Sequence, residues 1–240
     1  MRLAIVTGGS RGLGFALCEQ LAANGFHTIE FSRSAPHPYS IVVDLSRPLD
    51  ARAIMDRALA HNDPSRVTEI VAIHNAGALD PMGPVSRKEP ESVARNLEAN
   101  LIGGVQFFAS VISRFQDTDC RKVLASVSSG AALRPFAGWS LYCAAKAGLD
   151  HFVRTLALEQ KSEPFSFTAI NIDPGVMDTA MQEGIRAAAK SDFPDVERFV
   201  QRKENGQLVA PDRVAKAVLR ILDRKDLAQG ERYATMDHLK

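Results

Sequence analysis

The stretch SSGAALRPFAGWSLYCAAK, residues 128–146, brings together two hydroxyls (Ser128 and Ser129), a phenol (Tyr142) and an amine (Lys146). Groups of these types can move a proton. A tyrosine has a pKa of about 10 and is a poor acid near neutrality, but an ammonium beside it favours the phenolate and brings that value down. Lys146 follows Tyr142 by one helical turn, so on a helix the two share a face. Unit charges about 4 Å apart interact by roughly 4 kcal/mol at an effective dielectric near 20, enough to shift a phenol by a few pH units before desolvation opposes it. The expectation is that Lys146 lowers the pKa of Tyr142. A tyrosine one turn ahead of a lysine also arises by chance in ordinary helices, so the span gains weight only from a second signal. Cys143 adjoins Tyr142 but points about 100° away on a helix and reads as packing.

The second signal is Thr7-Gly8-Gly9-Ser10-Arg11-Gly12-Leu13-Gly14, which follows an apolar run directly and opens an amphipathic stretch. Glycines there let the backbone turn tightly and approach a pyrophosphate, which then lies against the unpaired N–H groups of a helix N-terminus. Strand, glycines and helix occur in the order that dinucleotide binding demands. An acidic residue at the tip of the second strand would accept from a ribose 2′-hydroxyl; this chain has Ser32 and Arg33 instead. Arg33 with Arg11 can clamp a phosphate, which favours NADP(H) as the cofactor. Asp44 and Leu45 after the third strand, and Asn75, Ala76 and Gly77 after the fourth, fall at carboxyl ends of strands, where a doubly wound sheet places its ligand. Asp44 is suited to the adenine edge and the small Ala76-Gly77 pair to contact with the adenosine, while Asn75 is equally suited to shaping a turn.

The elements that must position these groups follow from periodicity. Apolar runs at 3–7, 27–31, 40–43, 69–74, 122–127, 167–172 and 232–235 alternate with helical patterns near 12–24, 50–61, 90–115, 140–160 and 211–223. That alternation predicts an α/β fold: a single Rossmann domain over 1–240, with a doubly wound, mostly parallel seven-stranded sheet and helices on both faces. The stretch from Met177 to Leu208 is mixed in polarity, carries no strand signal, and is predicted to be a substrate lid with short helices at about 177–208. Leu133, Phe136, Trp139, Met177 and Met181 lie beside the reactive span and the lid, and are candidates for the wall of a substrate pocket.

Composition narrows the remaining classes. A chain of 240 residues with 45% hydrophobic and 24% charged residues can bury a sizeable core, and a net charge of +1 gives no footprint for nucleic acid or an anionic membrane. Cys18, Cys120 and Cys143 are scattered and lack metal-ligand spacing, so no metal site and a reducing compartment are expected. The apolar run at the start is too short for a signal peptide, and the default location is the cytoplasm.

Taken together, TGGSRGLG, HNAG, Asn100 in EANLIGG, SVSSG, YCAAK and DPGVMDT resemble the short-chain dehydrogenase/reductase family over nearly the whole chain. The segments SSGAALRPFAGWSLYCAAKAGLD and DPGVMDTAMQ look most like its sepiapterin reductase and bacterial benzil reductase branch. The resemblance implies an NADP-dependent oxidoreductase that reduces a small-molecule carbonyl substrate, a ketone or diketone, with Asn100, Ser129, Tyr142 and Lys146 as catalytic residues and Ser128 as the alternative to Ser129. By the same resemblance Tyr142 donates the proton, Ser129 holds the substrate oxygen, Asn100 anchors a water near Lys146, and Lys146 also bonds the nicotinamide ribose. Pro174, Gly175 and Val176 would run along the nicotinamide, and Thr179 would bind its carboxamide. Pterin reduction and a non-catalytic NADP-binding regulatory role are the alternatives. A homodimer built on the helices carrying Asn100 and Tyr142 is implied, with a tetramer as the other assembly. The family usually has two asparagines before Ala-Gly, whereas His74 stands in the first position here.

Overall fold

Every apolar run picked out above becomes a strand, with ends moved by a residue at most. The computed structural model describes residues 1–239, and its strands are β1 (Arg2–Thr7), β2 (His27–Ser32), β3 (Ser40–Val42), β4 (Glu69–His74), β5 (Arg121–Val127), β6 (Thr168–Asp173) and β7 (Arg232–Ala234). All pair in parallel in the order β3-β2-β1-β4-β5-β6-β7. The order reverses between β1 and β4, the place where an open α/β sheet leaves a crevice at the carboxyl ends of its strands. Register sets Thr7 opposite Phe31 on one side and His74 on the other. The glycine loop, the tip of β2 and the Asn75-Ala76-Gly77 turn therefore emerge side by side.

The helices are α1 (Gly12–Ala23), α2 (Pro48–Ala60), α3 (Pro90–Leu97), α4 (Gly103–Phe115), α5 (Ser140–Gln160), α6 (Ala180–Arg186), α7 (Val196–Glu204) and α8 (Pro211–Leu222). Successive side chains of a strand point to opposite faces. Leu3 and Ile5 accordingly join a core with Met55, Phe107, Phe108 and Leu149, from α2, α4 and α5. Ala4 and Val6 join another with Leu17, Val218 and Ile221, from α1 and α8. A third, smaller cluster sits at the carboxyl end of the sheet and joins Trp139 and Tyr142 to Ile185, Phe193 and Phe199 of the lid.

Two expectations need correction. The pattern over 90–115 is not one helix: a wide π turn, Glu98–Ile102, separates α3 from α4, with the Gly103 N–H reaching back to Glu98 O. Periodicity at three and four cannot reveal one extra residue in a turn. The segment at 177–208 expected to act as a lid contains short helices, α6 and α7, but also touches strand geometry, since Met177 and Val209 form a parallel bridge. Pro48 and Pro211 begin α2 and α8, where the missing N–H has no helical partner to lose.

Candidate active site

The glycine loop is built by close contact. Gly8 has φ of +71° and lies so near Ala76 that a Cβ on it would sit 2.7 Å from the Ala76 Cα. A Cβ on Gly14 would come within 2.1 Å of Gly8 O and 2.4 Å of Asn75 Nδ2. Asn75 Nδ2 donates to Gly8 O at 2.9 Å, so its side chain shapes the loop. The α1 N-cap, Arg11, supplies no side-chain acceptor, which leaves the first-turn N–H groups of α1 to an incoming anion. Leu13 is buried behind them. Ser10 is half-buried at the loop surface, and the side chains of Arg11 and Arg33 are exposed on either side of it. Ser32 is buried and donates to Glu30, the nearest acid on β2, whose other oxygen accepts from Gly9 N–H at 2.7 Å. That carboxylate is turned beneath the loop rather than toward a ribose. Asp44 Oδ1 is taken by the N–H and hydroxyl of Ser46, and Leu45 packs against Gly103. On the far side of the crevice Gly175 (φ +69°) donates its N–H to Asp173 at 3.0 Å, between half-buried Val176 and the buried Pro174. Thr179 caps α6, and its methyl would lie 3.3 Å from a Cβ on Gly12, so the lid begins against the glycine loop.

The groups expected to move a proton meet beneath the 177–208 segment. Ser129 ends the turn after β5 and faces the Tyr142 phenol as its side-chain hydrogen-bond partner, while Ser129 Oγ also accepts from Ala131 N–H at 3.1 Å. Ser128 is buried and turned away, accepting from Arg232 at 2.7 Å, so Ser129 is the serine that the fold brings to the tyrosine. Lys146, 3% exposed, donates to Val127 O at 2.8 Å. Its ammonium lies 5.8 Å from the Tyr142 ring centre. Burial holds Lys146 down at about 8, a fall that Asp150 opposes and Arg232 reinforces. The expectation for the phenol is overturned: burial pushes Tyr142 up to about 12, outweighing the hydrogen bond from Ser129 that lowers it. A phenol so placed keeps its proton near neutrality and is a weak acid until negative charge develops on an oxygen beside it. Asn100 lies in the π turn with both side-chain ends spent on Ala78, accepting from its N–H and donating to its carbonyl at 2.7 Å each. Gly77 fits between Asn100 and Lys146, where a Cβ would lie 3.6 and 3.7 Å from their polar ends.

Of the five wall candidates, only Phe136 and Trp139 join Tyr142. Their ring centres lie 4.9 Å apart, and Trp139 stands edge-on to Tyr142 at 6.2 Å. Met177 instead packs with the α8 side of the sheet, and Leu133 and Met181 are exposed, because adjacency in sequence does not fix which way a loop side chain turns. The wall is completed from the lid by Phe193, stacked on Trp139 at 4.4 Å, and Phe199 at 5.4 Å.

Arg232 on β7 is a site residue that local sequence pattern does not announce. Its guanidinium donates to Ser128 Oγ (2.7 Å), Ser129 O (2.9 Å), Asp173 (2.9 Å) and Asp150. One side chain thus ties the Ser129 turn, the Lys146 helix and the end of β6 together. His74, 0% exposed, packs between Phe107 and Phe108, with Nδ1 2.9 Å from Thr7 Oγ1; burial, then Lys146, hold it down at about 3, so the ring is neutral. Among the described residues no metal-binding cluster occurs, and no helix is long and apolar enough to cross a membrane.

Residues 2–190 match the short chain dehydrogenase family. The chain belongs to that family. Among curated short-chain dehydrogenase relatives, a benzil reductase ((S)-benzoin forming) of Bacillus subtilis is 35% identical over 93% of this chain and 94% of its own length. A sepiapterin reductase of Xenopus tropicalis is 30% identical over 99% and 95% respectively. Among solved structures, the KRED1-Pglu enzyme superposes with a TM-score of 0.82 at 28% identity, covering 97% of this chain and all of that one. Membership makes the chain an oxidoreductase of the nicotinamide-using kind, and both the family and the Rossmann architecture expected from its motifs are present.

Proposed function

We propose that this oxidoreductase is an NADPH-dependent carbonyl reductase acting on an aromatic ketone or diketone. The observation that carries the proposal is the buried Tyr142 phenol beside Ser129, with the Lys146 ammonium 5.8 Å from its ring centre, next to the Trp139 cluster. The crevice suits a dinucleotide: glycines that admit no Cβ, an uncapped α1 N-terminus, and Ser32, Arg11 and Arg33 where a 2′-phosphate would lie. Gly8, Ser10, Gly12, Leu13 and Gly14 would hold the pyrophosphate; Asp44, Leu45, Asn75, Ala76 and Gly77 the adenosine; and Pro174, Gly175, Val176 and Thr179 the nicotinamide. When bound, the dinucleotide supplies the hydride.

The chain's own residues do the rest. Ser129 orients the substrate oxygen, and Tyr142 gives its proton as charge develops there. Lys146 holds positive charge behind the phenol and can bond the ribose. Asn100 fixes the Ala78 backbone and, near Lys146, would anchor a water. Phe136, Trp139 and Phe199 offer aromatic faces to the substrate. The substrate is benzil-like, in keeping with the aromatic cluster and with what the Bacillus relative is named for. Pterin binding is disfavoured because Ala234, the position matching the pterin-binding carboxylate of sepiapterin reductases, offers none, and Asp237 falls in a separate turn after β7. Exposed Ala144, Ala147, Ile102 and Leu158 on the flank of α5 and the π turn suit a homodimer.

NADPH oxidation measured against benzil, sepiapterin and quinones tests the proposal. Higher kcat/KM for benzil than for sepiapterin is expected, and Tyr142→Phe should lower turnover by roughly 100-fold with NADPH affinity kept. A tenfold preference for sepiapterin, or near-normal turnover in Tyr142→Phe, would overturn it.

A further inference from the structure

The underside of the glycine loop is held by side chains outside the dinucleotide crevice. Both backbone polar groups of Gly9 are taken there: its N–H donates to Glu30, and its carbonyl meets His37 Nε2 at 3.1 Å. Glu30 is fully buried and His37 only 8% exposed. On the other side of the ring, His37 Nδ1 lies 3.2 Å from the Glu19 carboxylate. Both ring nitrogens therefore face oxygens that carry lone pairs and no hydrogen. A neutral imidazole with its proton on Nε2 can donate to Gly9 O but leaves its Nδ1 lone pair near the Glu19 carboxylate, whereas an imidazolium donates to Gly9 O and sets its positive charge beside Glu19. The ring also lies between Phe15, at 4.6 Å, and Tyr39, at 4.9 Å and 6° from parallel, and aromatic faces favour a cation.

The surrounding groups do not change that assignment. Burial, then Glu30, raise the Cys18 thiol to about 12, and burial, then Cys18, raise the Tyr39 phenol to about 12, so both stay neutral near pH 7. The charges facing His37 are the carboxylates: Glu19 from α1 and, across the Gly9 peptide, Glu30 from β2. The same network continues through Ser32, which donates to Glu30 and accepts from Ala35 N–H, into the turn that carries Arg33.

We propose that His37, held as an imidazolium, is a positioning residue for the dinucleotide: it fixes the Gly9 peptide, and with it Ser10 and Arg11, so that cofactor binding and proton retention at His37 reinforce each other. The proposal rests on the dinucleotide reading above. It requires reciprocity, since a proton that tightens the cofactor must itself be held more tightly when the cofactor is bound. Because the effect acts through the loop, it does not need the 2′-phosphate and must appear with NAD+ as well as NADP+.

The test is an NMR titration of the imidazoles of the intact protein over about pH 5 to 9, with His37 assigned by the resonance missing in His37→Gln. Saturating NAD+ should move the His37 midpoint upward by about 0.7 pH unit, the equivalent of a fivefold coupling. The NAD+ Kd of the native protein should rise by the same factor as pH passes the His37 midpoint, and in His37→Gln that step should be absent, leaving only the change near pH 8 that Lys146 contributes. A midpoint unmoved by saturating NAD+, or moved by NADP+ alone, would overturn the proposal. Failure of the underlying reading looks different, because neither dinucleotide would then bind at any pH.

Discussion

Lys146→Met should make the fold more stable while ending the chemistry. In the folded chain burial holds the amine down at about 8, against an ordinary value of 10.5. Between those values the unfolded chain binds more protons than the folded one, so the native protein gains stability from this group as pH rises from 8 toward 10.5 and carries the full cost below 8. At about 1.4 kcal/mol per pH unit the cost is about 3 kcal/mol at pH 7 and about 1 kcal/mol at pH 10. Methionine removes it but leaves Val127 O without its donor, a loss of about 1–3 kcal/mol that does not depend on pH. The expected net gain is about 1 kcal/mol at pH 7, shrinking by about 2 kcal/mol by pH 10 as the native protein catches up. Urea unfolding of the cofactor-free protein, followed by the single buried Trp139, measures both. A difference between variant and native protein that stays constant from pH 7 to 10 would refute the burial argument.

Three further outcomes are expected. Arg33→Asp should weaken NADPH more than NADH in direct binding, and equal losses would remove Arg33 from the 2′-phosphate site. Arg232→Gln, which strips the partner from two carboxylates and frees the Ser129 turn, should lower kcat by about tenfold or more, and lysine should not rescue it, since an ammonium cannot span four acceptors; rescue by lysine would show that charge alone suffices. His74 is neutral when folded, with its value at about 3 against 6.5 when free, so the unfolded state gains the proton first and stability falls as pH drops through 6.5 toward 3. His74→Asn should therefore abolish about 2–3 kcal/mol of the stability lost between pH 7.5 and 4.5, as read from urea midpoints, and an unchanged acid loss would contradict this.

Features written along the chain were legible, and features made by meetings across it were not. The alternation of Leu3, Ile5 with Ala4, Val6, and the strand–glycine–helix order around Gly8 to Gly14, are local patterns that each imply one geometry. Tyr142 and Lys146 share a helix face as their spacing requires, yet spacing alone could not tell that Lys146 would turn to Val127 O or that burial would dominate the phenol. Arg232 acts on Ser128, Ser129, Asp150 and Asp173, all distant in sequence. Glu30 reads as an ordinary strand residue until β1 and β2 pair and set it under Gly9. The wall failed in part for a similar reason: Phe193 and Phe199 reach Trp139 only once the lid is folded over it.

The bridge between Met177 and Val209 closes the lid into a loop whose two ends leave the body of the protein side by side: Asp178 N–H donates to Val209 O, and Val209 N–H to Val176 O, each at 3.0 Å. What lies between those ends is held at its base by these two bonds and farther out by the stacking of Phe193 on Trp139. Segments of other lengths and compositions could stand on that base without shifting β6 or α8, since the bonds that close it are between backbone groups and ask nothing of the side chains between them.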